Sequence, residues 1–120
     1  MIIITATLSF ETQTDRDAVV AETAPVQAVT RDEEPGCLAY CFAPDPVATE
    51  NIQVFEPWTD PESVTAHFAH PNYAKMVDVL HACSGYVRSD NQLYMANFRG
   101  PVYDENGSFR ADAVAADGVS

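Results

Sequence analysis

The order of three short segments constrains the fold of this chain most strongly. Residues 33–40, Glu-Glu-Pro-Gly-Cys-Leu-Ala-Tyr, place a Pro-Gly helix stop directly before an alternating segment. Residues 54–58, Val-Phe-Glu-Pro-Trp, predict a strand that ends in an aromatic side chain, and residues 66–68, Ala-His-Phe, place a histidine in the next helix. The segments therefore predict a helix, two strands and a second helix in that order.

The N-terminal residues predict a strand followed by a long helix. Apolar side chains recur at every second position, namely Ile2, Ile4, Ala6, Leu8 and Phe10, which is typical of a strand with one fully apolar face. Thr14 is predicted to cap the following helix, with Asp17 as its capping-box partner. Pro25 is expected to kink or divide this helix, because proline lacks the amide hydrogen and crowds the preceding turn.

The rest of the chain predicts three more strands and an interrupted helical region. The strands are assigned to residues 37–42, 52–58 and 92–98, the last with a possible extended stretch at Tyr86 and Val87 before it. Pro57 cannot donate to a ladder, so the end of the third strand should lie at an edge or bulge. Pro71 splits the helical region into residues 61–69 and 72–83.

The predicted order β-α-β-β-α-β is that of the ferredoxin-like α+β fold, in which helices cover one face of an antiparallel sheet. The fourth strand is apolar on both sides, which favours a homodimer that buries sheet against sheet. We assign residues 1–100 to this domain and residues 101–120 to a C-terminal extension with a turn at 104–107. Its last ten or so residues are expected to be mobile or packed on a partner subunit.

Charge and composition exclude several classes of function. The 120-residue chain has a formal net charge of −12 with only six Lys and Arg residues, which argues against binding nucleic acid or an anionic membrane surface. Its apolar N-terminal run is too short to span a membrane. An odd number of cysteines, three, fits a reducing compartment, so we predict a cytoplasmic protein.

No motif in the sequence anchors a metal or a cofactor. A phosphate-binding glycine loop, a nucleophile elbow and a His-Glu-x-x-His helix are all missing. His67 and His70 are three residues apart, but Pro71 interrupts their helix and no acidic residue has a diagnostic spacing to them. We therefore predict neither a metal nor a cofactor.

A polar and aromatic set borders the cavity expected between the sheet and the helices. His67 and Trp58 are the candidate catalytic residues, and the candidate substrate-binding residues are His70, Tyr73 and Asn97. Histidine can take a proton near neutral pH, while Trp and Tyr offer flat surfaces to an aromatic ligand. His67 could equally be a core residue bonded to the backbone, and His70 could simply cap the helix that begins at Pro71.

Residues 33–40, 54–58 and 66–68 resemble, in order and spacing, the antibiotic biosynthesis monooxygenase (ABM) family, whose members pair into a dimeric α+β barrel. The resemblance implies a monooxygenase that oxidises a quinol or polyphenol-like aromatic with O₂ and without a cofactor. Trp58 matches the tryptophan that commonly closes the family's third strand, and His67 matches the histidine in the following helix. Thr7 replaces the first-strand asparagine of haem-degrading members, which disfavours that activity.

Two other functions are compatible with the same residues. A proton-transfer isomerase of a small oxygenated metabolite would use the same histidine and cavity, and would form product without oxygen. A non-catalytic small-molecule-binding dimer would bind its ligand and release it unchanged.

Overall fold

Four antiparallel strands form one sheet, and three helices pack on one of its faces. The computed structural model describes residues 1–115. The elements in chain order are β1 (Ile2–Phe10), α1 (Gln13–Glu33), β2 (Cys41–Pro44), β3 (Asn51–Trp58), α2 (Pro61–Phe68), α3 (Pro71–Ala82), β4 (Tyr86–Met95) and a 3-10 helix (Ala111–Val114). The strand order across the sheet is β2-β3-β1-β4. The predicted ferredoxin-like α+β fold is confirmed.

β1 is one of the two interior strands of the sheet, and its apolar alternation gives it one buried face. Its even-numbered side chains are buried towards the helices, whereas its odd-numbered ones are only half-buried on the other face. It pairs with β3 on one side, where Ile4 lies opposite Glu56, and with β4 on the other, where Ala6 lies opposite Asn91. β1 therefore places Glu56 of β3 and Asn91 of β4 on the same face of the sheet.

α1 differs from its prediction at its start and at Pro25. The N-cap is Thr12 and not Thr14, because the Thr12 hydroxyl accepts a hydrogen bond from the Asp15 amide at 3.1 Å. The helix is not divided at Pro25. Pro25 and Ala21 are both exposed, so water can bind the carbonyl that the missing amide leaves free.

β2 is shorter than predicted, because Pro57 interrupts its ladder with β3. The Leu38 amide donates to the Pro57 carbonyl at 2.9 Å, and Cys37 forms an isolated bridge with Trp58. Pro57 has no amide to return the bond, so regular pairing begins only at Cys41. The sequence predicted an edge or a bulge at Pro57. β3 instead keeps an unbroken register with β1 through Pro57, and on its other side only the isolated Cys37–Trp58 bridge lies beside it.

Both helices after β3 begin at a proline: α2 at Pro61, as predicted, and α3 at Pro71, one residue before its predicted start. Asp60 caps α2 by accepting from the Ser63 amide at 2.8 Å, and His70 caps α3 by accepting from the Asn72 amide at 3.0 Å. Proline in the first turn is tolerated because its missing amide would have no partner there. Pro71 therefore ends α2 and starts α3 within a few residues.

The sheet face opposite the helices has no cover within residues 1–115. Half-buried Ile3 and Thr5 lie at its centre, flanked by Phe55 at 48% exposure and Tyr94 at 52%. β4 spans Tyr86–Met95, so it starts at the extended stretch predicted before it and ends before Asn97.

The C-terminal segment forms a small turn. Tyr103 bridges to Phe109, and the Gly107 amide donates to the Asp104 carbonyl at 2.9 Å, as the sequence predicts for residues 104–107. Residues 116–120 of the predicted extension lie outside the described residues, and the boundary at residue 100 stays a prediction. Within residues 1–115 no helix combines the length and apolar character that crossing a membrane requires.

Candidate active site

A cavity of about 440 Å³ lies between the sheet and the helices. β1 contributes its floor through Ile4, Ala6 and Leu8, and α3 contributes a wall through Met76 and neighbouring residues. Aromatic and polar side chains complete the lining: Tyr40, Phe42, Glu56, His67, Phe68, Tyr73, His81, Tyr86, Ser89 and Asn91. This volume and this mainly apolar lining are typical of a small-molecule site.

His67 and Tyr40 are the most enclosed titratable groups that line the cavity. His67 and Val64 occupy the inward face of α2, one helical turn apart, and His67 is 1% exposed. Its ring centre is 4.5 Å from that of Trp58 and 5.3 Å from that of Tyr40. Tyr73 contacts it edge-on at 5.7 Å. The imidazole is therefore fixed by aromatic packing before any ligand binds.

Glu34 orients the His67 ring from the side opposite Glu56. The His67 Nδ1 atom is 2.9 Å from the Glu34 Oε1 atom, and the Asn72 side-chain amide donates to Glu34 Oε2 at 3.2 Å. An ionised carboxylate can only accept, so Nδ1 carries the hydrogen and Nε2 presents a lone pair. This arrangement of a carboxylate behind an imidazole prepares Nε2 to accept a proton.

The Pro-Gly segment places Glu34 behind His67. Glu34 is the C-cap of α1, where its amide donates to the Thr30 carbonyl at 3.2 Å. A Cβ at Gly36 would overlap the Ser63 side chain of α2, so only glycine allows this close approach. The chain thus turns tightly against α2 directly after Glu34.

Glu56 is a second buried carboxyl group in the cavity. It projects from β3 between Val54 and Trp58 on the inward face and is 8% exposed. Its Oε1 atom has no hydrogen-bond partner and lies 3.9 Å from His67 Nε2. Burial raises the pKa of Glu56 to about 7, and the charge of Glu34 adds to the rise. The Trp58 indole opposes this rise, although its Nε1 makes no hydrogen bond of good geometry.

Burial also shifts the pKa values of His67 and Tyr40. It lowers the pKa of His67 below the ordinary 6.5, an effect that the hydrogen bond to Glu34 opposes. It raises the pKa of Tyr40, whose phenol therefore stays protonated. Near neutral pH the site holds a neutral imidazole beside a carboxyl group that is close to its own pKa.

The other candidate residues are placed differently from one another. Tyr73 lines the cavity, whereas Trp58 is fully buried behind His67 and lines a smaller pocket of about 200 Å³ with Glu34 and His70. His70 serves as the cap of α3. Asn97 is exposed, follows the end of β4 and is not part of the cavity lining. The structure therefore groups only His67, Tyr73 and Trp58 around one centre.

Sequence reasoning missed Glu34, Glu56 and Asn72. Glu56 had a visible signal, because it is a carboxylate at an inward position of an otherwise apolar strand face. Glu34 and Asn72 had none, since Glu34 bonds His67 across 33 residues of the chain and Asn72 bonds Glu34 across 38. Within the described chain no three His, Cys, Asp or Glu side chains are arranged to hold a metal ion.

The fold and the cavity define a class of protein: a ferredoxin-like domain with a small-molecule site between sheet and helices. The sequence model of the antibiotic biosynthesis monooxygenase family matches residues 1–79. The chain therefore belongs to this family. No functionally curated protein matches the sequence significantly.

Solved structures from several bacteria share this fold. A predicted antibiotic biosynthesis monooxygenase from Deinococcus radiodurans aligns with a TM-score of 0.74 and 21% identity, over 87% of this chain and 100% of the other. SnoaB from Streptomyces nogalater, a cofactor-independent oxygenase, aligns with a TM-score of 0.60 and 17% identity, over 81% and 93%. A predicted family member from Nitrosomonas europaea gives 0.68 and 14%, over 82% and 100%. At these identities the likeness establishes the fold alone.

Proposed function

We propose that this protein is a monooxygenase that oxidises a hydroxylated aromatic compound, of the quinol or polyphenol type, with O₂ and without a cofactor. The observation that carries the proposal is the buried Glu34–His67 pair, whose free Nε2 faces a cavity with aromatic walls. No Lys or Arg lines that cavity within residues 1–115, so its lining offers no cationic partner to a carboxylate or phosphate. An uncharged aromatic fits this environment better.

The chemistry requires one proton transfer from the substrate before oxygen reacts. His67 takes the proton of an aromatic hydroxyl group, and the Glu34 carboxylate stabilises the imidazolium that forms. The resulting aryl oxide donates one electron to O₂, and the two radicals combine into a peroxide anion at a ring carbon that carries hydrogen. This anion takes the proton back from the His67 imidazolium and becomes a hydroperoxide. Loss of water then leaves a carbonyl, so one oxygen atom enters the quinone product and the other leaves as water.

The remaining candidate residues have supporting roles in this proposal. Tyr73 and Phe68 offer aromatic edges at the cavity wall, with ring centres 4.8 Å apart. Trp58 holds the His67 ring by packing on it and does not touch the ligand. We leave His70 and Asn97 out of the proposed site because neither lines the cavity.

We also propose that the protein acts as a homodimer in the cytoplasm. The uncovered sheet face presents Ile3, Phe55 and Tyr94, and pairing two such faces would bury them in the dimeric barrel that the family resemblance implies. The three free, half-buried cysteines fit a reducing compartment.

An isomerase is the second candidate, and the Glu56–His67 proximity favours it. Two groups that can exchange protons near neutral pH lie 3.9 Å apart at one cavity. Such a pair could remove a proton from one carbon of an enolisable metabolite and return it to another. A binding protein without catalysis is the third candidate.

Oxygen uptake by the purified, metal-stripped protein against a panel of hydroxylated aromatics tests the proposal. We expect uptake with at least one dihydroxyarene, and incorporation of one atom of labelled O₂ into the product. The His67→Ala and His67→Gln variants should each lose about 100-fold or more in rate, the scale of a missing general base. Thr65→Ala, an exposed change on the same helix, should keep the wild-type rate.

The alternatives give different results in the same experiment. Product formed under nitrogen at the aerobic rate identifies an isomerase, and bound ligand recovered unchanged in air identifies a binding protein. Full oxygenase activity in both His67 variants, with folding verified by unfolding curves, removes His67 from the mechanism.

A further inference from the structure

One buried acceptor in the cavity is left without a partner although it lies within reach of a ligand. Glu56 is 8% exposed, and its Oε1 atom makes no hydrogen bond. Buried polar atoms in folded proteins nearly always have partners, and the exceptions call for an explanation. Because Glu56 lines the cavity, a bound ligand can supply that partner.

The distance between Glu56 and His67 fits one shared ligand atom. Oε1 and Nε2 are 3.9 Å apart, too far to bond each other. An oxygen atom about 2.8 Å from each of them can bridge this gap with ordinary geometry. The single hydroxyl oxygen that loses its proton to His67 can therefore also contact Glu56.

The groups around Glu56 determine whether its carboxyl group is protonated or ionised. The titratable groups around Glu56 are His67 from α2, Glu34 from the end of α1, Tyr40 and Cys37 from the segment before β2, and the other titratable residues of the cavity lining, Tyr73 and His81 from α3 and Tyr86 from β4. Arg16, the buried cation of α1, instead binds the Asp45 and Asn51 carbonyls. Burial, together with the charge of Glu34 and the lack of a Lys or Arg in the lining, therefore favours the protonated form of Glu56 below about pH 7.

We propose that Glu56 donates a hydrogen bond from its protonated carboxyl group to the ionised oxygen of a hydroxylated aromatic ligand, while His67 holds the proton that this oxygen has lost. In this step the ligand O–H bond breaks and an N–H bond forms on Nε2, and nothing is oxidised or reduced. A buried carboxylic acid is a strong donor to a developing oxyanion in a site of low polarity. The inference rests on the ligand class of the proposed function but not on its reaction with O₂.

Binding of 4-nitrophenol under nitrogen tests this role, because its ionised form has a distinct absorption band. Wild-type protein should bind the ionised form, and its affinity should fall above about pH 7, where Glu56 loses its proton. Glu56→Gln retains an amide donor at every pH. Relative to this variant, wild-type affinity should fall about tenfold per pH unit above pH 7, since its complex holds one more proton.

Two further variants complete the design. Glu56→Val has no donor and should bind the ionised probe about tenfold or more weakly than Glu56→Gln at every pH, the scale of one charge-assisted hydrogen bond. Glu22→Gln makes the same chemical change at an exposed site of α1 and should reproduce wild-type behaviour. The unfolding free energy of each variant shows whether it is folded.

Three results would overturn the proposal. Loss of the ionised band in Glu56→Gln would make Glu56 the base, and an unchanged pH dependence in that variant would assign the titration to another group. Absence of probe binding to wild-type protein would show that the cavity does not accept an aryl oxide. Ionisation of the probe without oxygen uptake on any quinol would instead refute the oxygenase and leave Glu56 as proposed.

Discussion

Glu34 and His67 share a 2.9 Å hydrogen bond in the interior although 33 residues separate them in the chain. Glu34 also accepts from Asn72, so one carboxylate joins the end of α1, the inward face of α2 and the first turn of α3. The carboxylate that orients the imidazole thus also ties three helices together.

Removal of the Glu34 carboxylate should destabilise the fold. Glu34→Ala leaves the His67 Nδ1–H and the Asn72 amide without their acceptor in a buried place, which costs about 2–4 kcal/mol. Urea unfolding measures this loss. Glu33→Ala is the matched control, because the adjacent glutamate is exposed and its removal should cost less than about 0.5 kcal/mol. Equal losses in the two variants would contradict the role of the buried network.

The His67 imidazole should titrate below pH 6.5, because burial favours its neutral form. Nuclear magnetic resonance of the ring protons, assigned by comparison with His67→Gln, gives the midpoint directly. In Glu34→Gln the midpoint should move lower still, since the variant loses the charge that opposes the effect of burial. A midpoint above 6.5 in the wild-type protein would show that the ion pair outweighs burial.

Glu56 should make the wild-type protein less stable as pH rises through the acid range. Its pKa is raised from 4.5 to about 7 in the folded state, so the folded state binds the proton more tightly than the unfolded state. The stability this contributes is present below pH 4.5 and is lost by pH 7, a change of roughly 3 kcal/mol.

Comparison with Glu56→Gln isolates this effect. The lowered pKa of His67 acts in the opposite direction but is common to both proteins to a first approximation. From pH 5 to pH 8 the unfolding free energy of Glu56→Gln should therefore rise relative to that of the wild-type protein. Parallel stability curves would mean that Glu56 is not protonated in the fold.

Filling the cavity should abolish ligand binding while the fold persists. Ala6 lies on the cavity floor at 6% exposure, and Ala6→Leu extends a side chain into the empty volume. We expect nitrophenol affinity to fall about tenfold or more, with a stability change of roughly 1 kcal/mol in either direction. Ala28→Leu on the exposed side of α1 is the control. Unchanged affinity in Ala6→Leu would place the ligand elsewhere.

A charge on the uncovered sheet face should separate the proposed dimer. Phe55 is 48% exposed on that face, and Phe55→Lys would bury two like charges near the centre of a sheet-to-sheet interface. Sedimentation should show a dimer for the wild-type protein and a monomer for the variant. Val47→Lys, at an 89% exposed loop position, should leave the dimer intact. A wild-type monomer would refute the proposed assembly.

Local sequence signals predicted most of the framework. The alternation over β1, the prolines at residues 57, 61 and 71, and the Pro-Gly segment each act through neighbouring backbone atoms, so their effects are readable from a few residues. Of the two outcomes expected at Pro25, a kink or a division of the helix, the division does not occur. The cost of an internal proline depends on whether the freed carbonyl is exposed, and exposure is a property of the folded molecule. The predicted N-cap was wrong by two residues for the same reason. Thr12 and Thr14 both have a hydroxyl group, and only the folded structure shows that Thr12 is the cap.

The sequence by itself determined the ferredoxin-like order of elements and the presence of a histidine on the inward face of the second helical region. The tertiary structure alone decided what surrounds that histidine. Glu34 and Glu56 lie in elements distant in the chain, and no local rule links a helix cap or a strand carboxylate to an imidazole. Their burial beside His67 shifts the pKa values of His67 and Glu56, because desolvation and nearby charge act through space rather than along the chain.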